Sequence, residues 1–425
     1  GTSMGVHFGS YITTLYRGRY YNVVPHDTLL QGFRHVFWYQ MYAATEGGIS
    51  PSLEPYPQLA QSVREIERIK NGLARLILGS ERAHDGIAVL YSMPSHLFSF
   101  LASGPPVAWE LNALLHSLQD LGFQCDLVTP AHLKDTLKNY KALFLTTSQC
   151  IGDTDAQVIK TFVENGGILI ADIRPGIADE HGKVRDRGVL SDVFGLSWKT
   201  PLRKLEEKEF QPTDESKETI EFRFEGEYKG RQFSSPLQKK ITVDGALSLN
   251  GADCVLKVDG IPLLTHNAYG NGAAICKNAM ASRGLHNALA AILSAHGIEP
   301  LIKTRSELTN SIPANYIPGL EFCRFTDGNA SYYGITKVES REEKDRYSVI
   351  IDLQRGGHLY DILENMYLGY KESVSDDMGA WHARWFSHLP YHVEDIRVRL
   401  EKNTVDRGKR IRATAEIVAA TETPS

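Results

Sequence analysis

The sequence predicts an α/β protein: a flavodoxin-like parallel sheet in the middle, a strand and helix before it, and an antiparallel β-sandwich after it. Three observations carry that reading. Between residues 84 and 300, the apolar runs GIAVLYS (86–92), CDLVTP (125–130), ALFLTT (142–147) and GILIADI (167–173) alternate with helical stretches, as strands buried under helices on both faces do. After residue 301 the chain is nearly all short strand patterns separated by Gly, Asp and Pro, which suits a sandwich. Before residue 82, one aromatic and β-branched run, HVFWYQM (35–41), is followed by one long helical pattern.

Composition sets the bounds. A chain of 425 residues suggests two to four domains at about 100–200 residues each. Apolar content of 42% and charged content of 23% are ordinary for a globular protein. The net charge of −5 gives no general attraction to nucleic acid or anionic membrane. No apolar stretch approaches the roughly 20 residues that span a bilayer. The opening GTSMGVHFGS has neither the basic start nor the apolar core of a signal peptide. That favours the cytoplasm, unless the chain begins inside a longer protein. Cys125, Cys150, Cys254, Cys276 and Cys323 lie far apart without a CxxC pair. They read as free, buried thiols rather than a disulfide scaffold.

The elements follow in order, with domain boundaries expected at 1–82, 83–300 and 301–425. In the first segment, Leu59, Val63, Ile66, Ile69, Leu73 and Leu76 recur at spacings of three and four, which predicts a helix over 58–78. A single strand–helix unit cannot bury its own edges. Cover is therefore expected from the central layer or from another chain. In the second segment, helices are expected over 107–122, stopped by Gly122, and 153–167, with Asp153 as N-cap and Gly166 and Gly167 as stop. The sheet is interrupted around 200–260. Residues 203–243 there are highly charged and include the alternating TIEFRFEG, which reads as an antiparallel β insertion. A hairpin over 261–280 and a helix over 284–297 close the layer. In the third segment, YSVIIDL, ENMYLGYKESV, AWHARWFSHL, DIRVRLEK and RIRATAEIV read as strands.

This order, with GIAVLYS, YKALFLTTSQ, FVENGGILIADIRPGIADEHG and GVLSDVFGL in sequence, resembles the C-terminal part of glycoside hydrolase family 42 β-galactosidase-like proteins. The resemblance implies three parts. Residues 1–82 are the end of a (β/α)8 barrel, with HVFWYQM its eighth strand and 58–78 its eighth helix. Residues 83–300 are a flavodoxin-like trimerisation domain, and 301–425 a C-terminal β domain. It also implies trimeric self-association, and carbohydrate as the ligand of the parent enzyme.

Retaining glycosidases need two carboxylates about 5 Å apart, which the resemblance places on barrel strands four and seven. Residues 1–21 contain no Asp or Glu. No catalytic residue is therefore assigned, and the chain alone is expected not to cleave glycosides. Trp38, Gln40 and Glu46 would lie at the C-terminal end of the eighth strand, where barrel enzymes build their sites. Trp38 would stack on a sugar and Glu46 accept from its hydroxyls. Otherwise they are a core aromatic and a solvated acid. The family has a His three residues after this Glu, and here Ile49 stands there.

Other motifs read as structural. The central layer is also class I glutamine amidotransferase-like, but the elbow expected after GILIADI reads Asp172–Gly176 without Cys or Ser. Cys150 stands one strand–helix unit too early, and Glu180 and His181 would have no nucleophile to serve. In YGNG (269–272), Asn271 and Gly272 read as a hairpin turn, not a dinucleotide fingerprint. His382 and His388 share a strand face but lie roughly 20 Å apart at about 3.3 Å per residue, too far for one metal. Trp381, Trp385 and Phe386 read as core, and Arg17 and Arg19 as solvated surface. No metal or cofactor is expected. The function expected is a non-catalytic assembly and active-site-supporting region. The alternative is a stand-alone carbohydrate-binding or regulatory protein.

Overall fold

The computed structural model describes residues 9–13, 20–39, 50, 52–101, 107–198, 205–209, 222–237, 240–280, 286–300, 320–337, 346–379, 382–404 and 406–420. The chain divides into two units, residues 1–83 with 302–425, and residues 84–301. The first unit opens with β1 (Gly9–Thr13), α1 (Tyr20–Leu30) and β2 (His35–Tyr39), and the two strands pair in parallel. The sequence suggested nothing comparable before residue 35. GSYIT has only two apolar side chains, and Pro25 sits inside α1, where proline usually ends a helical pattern. Then α2 (Pro57–Arg68) starts on a proline, which lacks the N–H a first turn would leave unpaired. It passes through a π turn at Ile69–Leu73 into α3 (Ala74–Gly79). The turn leaves helical geometry at Asn71 and Gly72, where Gly72 takes φ 142°, a value only glycine adopts at little cost. The short β3 (Glu81–Arg82) ends this segment.

The second unit is layered α/β. In chain order it holds β4 (Ile87–Leu90), α4 (Met93–Leu101), α5 (Val107–Asp120), β5 (Cys125–Val128), α6 (Pro130–Thr136), β6 (Ala142–Leu145), α7 (Asp153–Glu164) and β7 (Ile168–Ala171). After α8 (Ser191–Phe194) and β8 (Leu196–Trp198) come β9 (Glu206–Glu209), β10 (Phe222–Tyr228), β11 (Arg231–Leu237) and β12 (Lys240–Val243). Within that stretch β9 pairs with β12 and β10 with β11, both antiparallel, as the alternating pattern predicted. Next, β13 (Leu247–Leu249), β14 (Asp253–Val258), β15 (Ile261–Tyr269), β16 (Gly272–Lys277) and α9 (His286–Ala295) complete the unit. The main sheet runs β14-β15-β16-β7-β6-β4-β5, parallel from β16 to β5 and antiparallel at the other edge.

Alternate residues of the strands face opposite layers. Ile87, Val89, Phe144, Ile170 and Ile275 pack under α5 and α9 through Leu114, Leu118, Leu289 and Ile292. Ala88, Leu90, Leu143, Leu145 and Leu169 pack under α6, α7 and α8 through Leu133, Ile159, Val163 and Phe194. Helix α4 was not foreseen. The β15–β16 turn sits one residue earlier than expected. Tyr269 pairs with Gly272, and Gly270 carries the positive φ, 57°. Gly272 itself lies against the carbonyls of Val163 and Gly167, where a Cβ would not fit.

The remaining strands are β17 (Leu320–Asp327), β18 (Ala330–Lys337), β19 (Arg346–Asp361), β20 (Met366–Gly379), β21 (His382–Leu389), β22 (His392–Leu400) and β23 (Ala413–Ala420). They form an antiparallel sheet in the order β20-β19-β21-β18-β17-β3, and a ribbon of β22 and β23. Trp385 and Phe386 are core residues, as expected. One face of the sheet, with Cys323, Phe325, Tyr332 and Trp385, packs against Leu29, Leu30, Ile69, Leu73 and Ile77. The cover for the long helix is therefore α1 together with the C-terminal sheet, partners the sequence did not suggest. The seam has a buried polar lock. Trp385 Nε1–H donates to His26 Nδ1 (3.1 Å), so Nδ1 accepts and Nε2 carries the proton toward Glu65 Oε2 (3.0 Å). Arg68 extends the chain from Glu65 (3.4 Å) to Glu364 (3.1 Å).

Candidate functional site

In an open parallel sheet, ligand sites form beyond the carboxyl ends of the strands. Here those ends carry a cluster of buried polar side chains. The segments after β4, β6, β7 and β16 bring Ser92, Thr147, Cys150, Asp172, Arg174 and Asn278 below the surface. Ser92, Thr147, Asp172 and Asn278 follow their apolar strands within two residues, so strand packing fixes their backbone.

Asp172 accepts a hydrogen bond from the Thr147 N–H at 2.6 Å. Burial raises its carboxyl to about 8, against the pull of that hydrogen bond and of Lys277, while Glu110 adds to the rise. Lys277 is half-buried beside it, and desolvation lowers its ammonium. Next along the chain, Arg174 takes φ 58°, a left-handed backbone that a non-glycine residue adopts only at a cost. The residue there is a guanidinium forked onto Asp244, Nε to Oδ2 at 2.6 Å and Nη2 to Oδ1 at 3.1 Å. Asn278 holds Asp244 by its backbone N–H (3.1 Å) and carbonyl (3.0 Å), and reaches the Pro262 carbonyl (2.9 Å). The turn, Asp172 to Gly176, carries no Cys or Ser. A buried, bidentate pair of this kind holds a loop in place and has no group to attack a carbonyl.

Cys150 does not replace it. Burial, then Asp179, pushes its thiol up to about 11, so it stays protonated near neutrality. Its backbone is clamped: the N–H donates to Ser95 Oγ (3.0 Å), and its carbonyl accepts from Ser95 Oγ (3.2 Å) and Ser92 Oγ (3.4 Å). His181 is exposed, 4.0 Å from Glu180, in a turn that Asp179 holds through the N–H groups of His181 and Lys183. The arrangement can position backbone and can shift protons at Asp172, but has no activated nucleophile. Among the described residues, no group of three or more His, Cys, Asp or Glu is placed to hold a metal ion.

Of the residues named from sequence, Trp38 lies on β2, paired with Ile12. Gln40, Glu46, Ile49, Arg17, Arg19 and Trp381 lie outside the described residues. His382 and His388 sit at opposite ends of β21, opposite Lys337 and Ser331. The charges at the sheet edge were missed. Their only sequence signal is an ionisable residue closing an apolar run, Asp172 after ILIA and Lys277 after AAIC.

The profile of the β-galactosidase trimerisation domain matches residues 86–299, half of the chain. The chain belongs to that family. The likeness to β-galactosidases extends outside this trimerisation domain. A β-galactosidase of Planococcus sp. strain L4 is 25% identical over 315 residues, 71% of this chain and 43% of its own length. One of Geobacillus kaustophilus is 25% identical over 256 residues, 56% of this chain and 34% of its own. The β-galactosidase of Bacillus circulans sp. alkalophilus superimposes with a TM-score of 0.62 at 18% identity, over 87% of this chain and 52% of that one. An α-L-fucosidase isoenzyme from Paenibacillus thiaminolyticus does so with 0.57 at 14%, over 91% and 61%. The chain thus corresponds to a part of these proteins, and the likeness to the C-terminal part of family 42 β-galactosidase-like proteins holds. The architecture shared with them is mixed α/β with a parallel sheet and antiparallel sheets. No helix among the described residues is long and apolar enough to cross a membrane.

Proposed function

We propose that this chain is the assembly region of a β-galactosidase-like glycoside hydrolase: it joins copies into a homotrimer, supports an active site built elsewhere, and is itself non-catalytic. The observation that carries the reading is the trimerisation-domain match over 86–299 in a chain whose first 21 residues hold no carboxylate. The central layer is flavodoxin-like. In support, its parallel strands, numbered along the chain, stand in the order 2-1-3-4-5. Residues 1–82 are the end of a catalytic barrel, and in support β1 and β2 pair in parallel around α1. Residues 301–425 are the C-terminal β-sandwich. Trp38, Gln40 and Glu46 contact carbohydrate only in the complete enzyme. The parent reaction is hydrolysis of a terminal β-galactoside or related glycoside, in the cytoplasm.

Light scattering on a size-exclusion column tests assembly, with a mass of three chains expected and a strict monomer at high concentration contradicting it. Nitrophenyl galactosides test the rest. The chain alone should not turn them over, and turnover would end the non-catalytic reading.

A further inference from the structure

Helix α4 is built inside out. Its spacing places Met93, Leu97, Phe100 and Leu101 on one stripe, and the stripe faces solvent, with Phe100 83% and Leu101 81% exposed. The side turned inward carries Ser95 and Ser99, 1% and 3% exposed. The serines enforce this orientation. Ser92 and Ser95 satisfy the buried N–H and carbonyl of Cys150. Rolling the helix to bury its apolar stripe would leave those backbone groups unpaired, at the full desolvation cost of each. Helix α5 packs beside α4 and adds Trp109, 78% exposed. Single exposed apolar residues need no explanation, but a stripe of this size marks an interaction surface.

The residues themselves favour one occupant. The sequence MPSHLFSFL contains no Lys, Arg, Asp or Glu, so the patch neither attracts nor repels charge. Copies of a chain with net charge −5 repel through ionised surfaces and meet at least electrostatic cost through such a patch. The stripe also lies within the residues matched to the trimerisation domain.

We propose that the α4 stripe, extended by Trp109, is the surface on which a second copy of this chain docks, with Phe100 as its central anchor. This rests on the assembly reading above and names the surface that performs it. In a closed ring the contact is heterologous, so the stripe meets a different face of the neighbour.

The test is light scattering of the full chain beside F100D and L97D, with thermal melting of each. Support is an associated wild type, with variants that melt as the wild type does but need at least about tenfold more protein to associate, as loss of a buried aromatic anchor predicts. Variants that associate like the wild type overturn the surface and leave the assembly reading standing. A wild type that stays monomeric overturns both. If the variants unfold, amide exchange of the wild type decides. Residues 93–101 must exchange more slowly in concentrated than in dilute protein, and no difference overturns the proposal.

Discussion

Two helical segments of this chain carry apolar stripes of similar spacing and meet opposite fates. The stripe of α2 and α3 runs through Ile69, Leu73 and Ile77 and is buried under Phe325, Tyr332 and Trp385. The stripe of α4 runs through Leu97, Phe100 and Leu101 and stays in solvent. What differs is the other side of each helix. The long helix turns ionised residues such as Arg64 and Glu67 to water, so nothing opposes burial of its apolar side. Helix α4 offers serines that the Cys150 backbone needs. Apolar periodicity says that a face seeks cover. The polar partners of the opposite face decide whether this chain supplies it.

The comparison can be broken by removing the cover. Trp385→Ala should cost about 3–5 kcal/mol, since it empties a fully buried site and leaves the His26 lock without its donor. Urea denaturation of residues 1–83 with 302–425 reads it, and a loss below about 1 kcal/mol would mean the helices do not depend on the sheet.

The pH response of the parallel sheet comes next. The Asp172 carboxyl is raised from 3.8 to about 8, chiefly by burial. The folded state therefore holds a proton that the unfolded state releases. That contribution is complete below about pH 4 and disappears as pH rises through about 8, on the order of a few kcal/mol. Asp172→Asn imitates the protonated acid. Denaturation midpoints of wild type and variant should agree near pH 4 and separate above pH 8, with the variant the more stable. Parallel curves would show that Asp172 is ionised throughout.

Ser95→Ala sharpens the contrast from the side of α4. Losing the hydroxyl strands the buried Cys150 N–H and should cost about 1–3 kcal/mol in the unit of residues 84–301. A neutral result would mean that the serines do not set the helix's orientation. The smallest effect belongs to Phe100→Ala. In the dissociated chain it should change stability by less than about 0.5 kcal/mol, because the ring is already in water. A larger loss would show that this chain packs the ring after all.

Much of the fold was legible because its signals are local. ILIA, ALFL and IAVL are strands buried on both faces, and each is bounded by residues that end strands. The hairpin was legible to within one residue; Gly272 pairs with Tyr269 and lies against the end of α7, about a hundred residues away in sequence. The first strand and α1 were not legible. GSYIT is too short and too polar to read as buried, and Pro25 hides the helix. The candidate site was legible only by elimination. The sequence shows that the elbow lacks a nucleophile, but not that Arg174 fills it or that Asp244, seventy residues on, holds it there.

By itself the sequence determined the layered α/β centre, the antiparallel strands after it and the absence of a reactive residue at the elbow. Side-chain period and residue chemistry act within a few residues, so they are written in the order of the letters. Only the tertiary structure decided that the long helix packs on α1 and the C-terminal sheet, that Asp172 is buried with Lys277 beside it, and that α4 shows its apolar side to water. Each of those depends on which distant groups compete for the same buried space and hydrogen bonds.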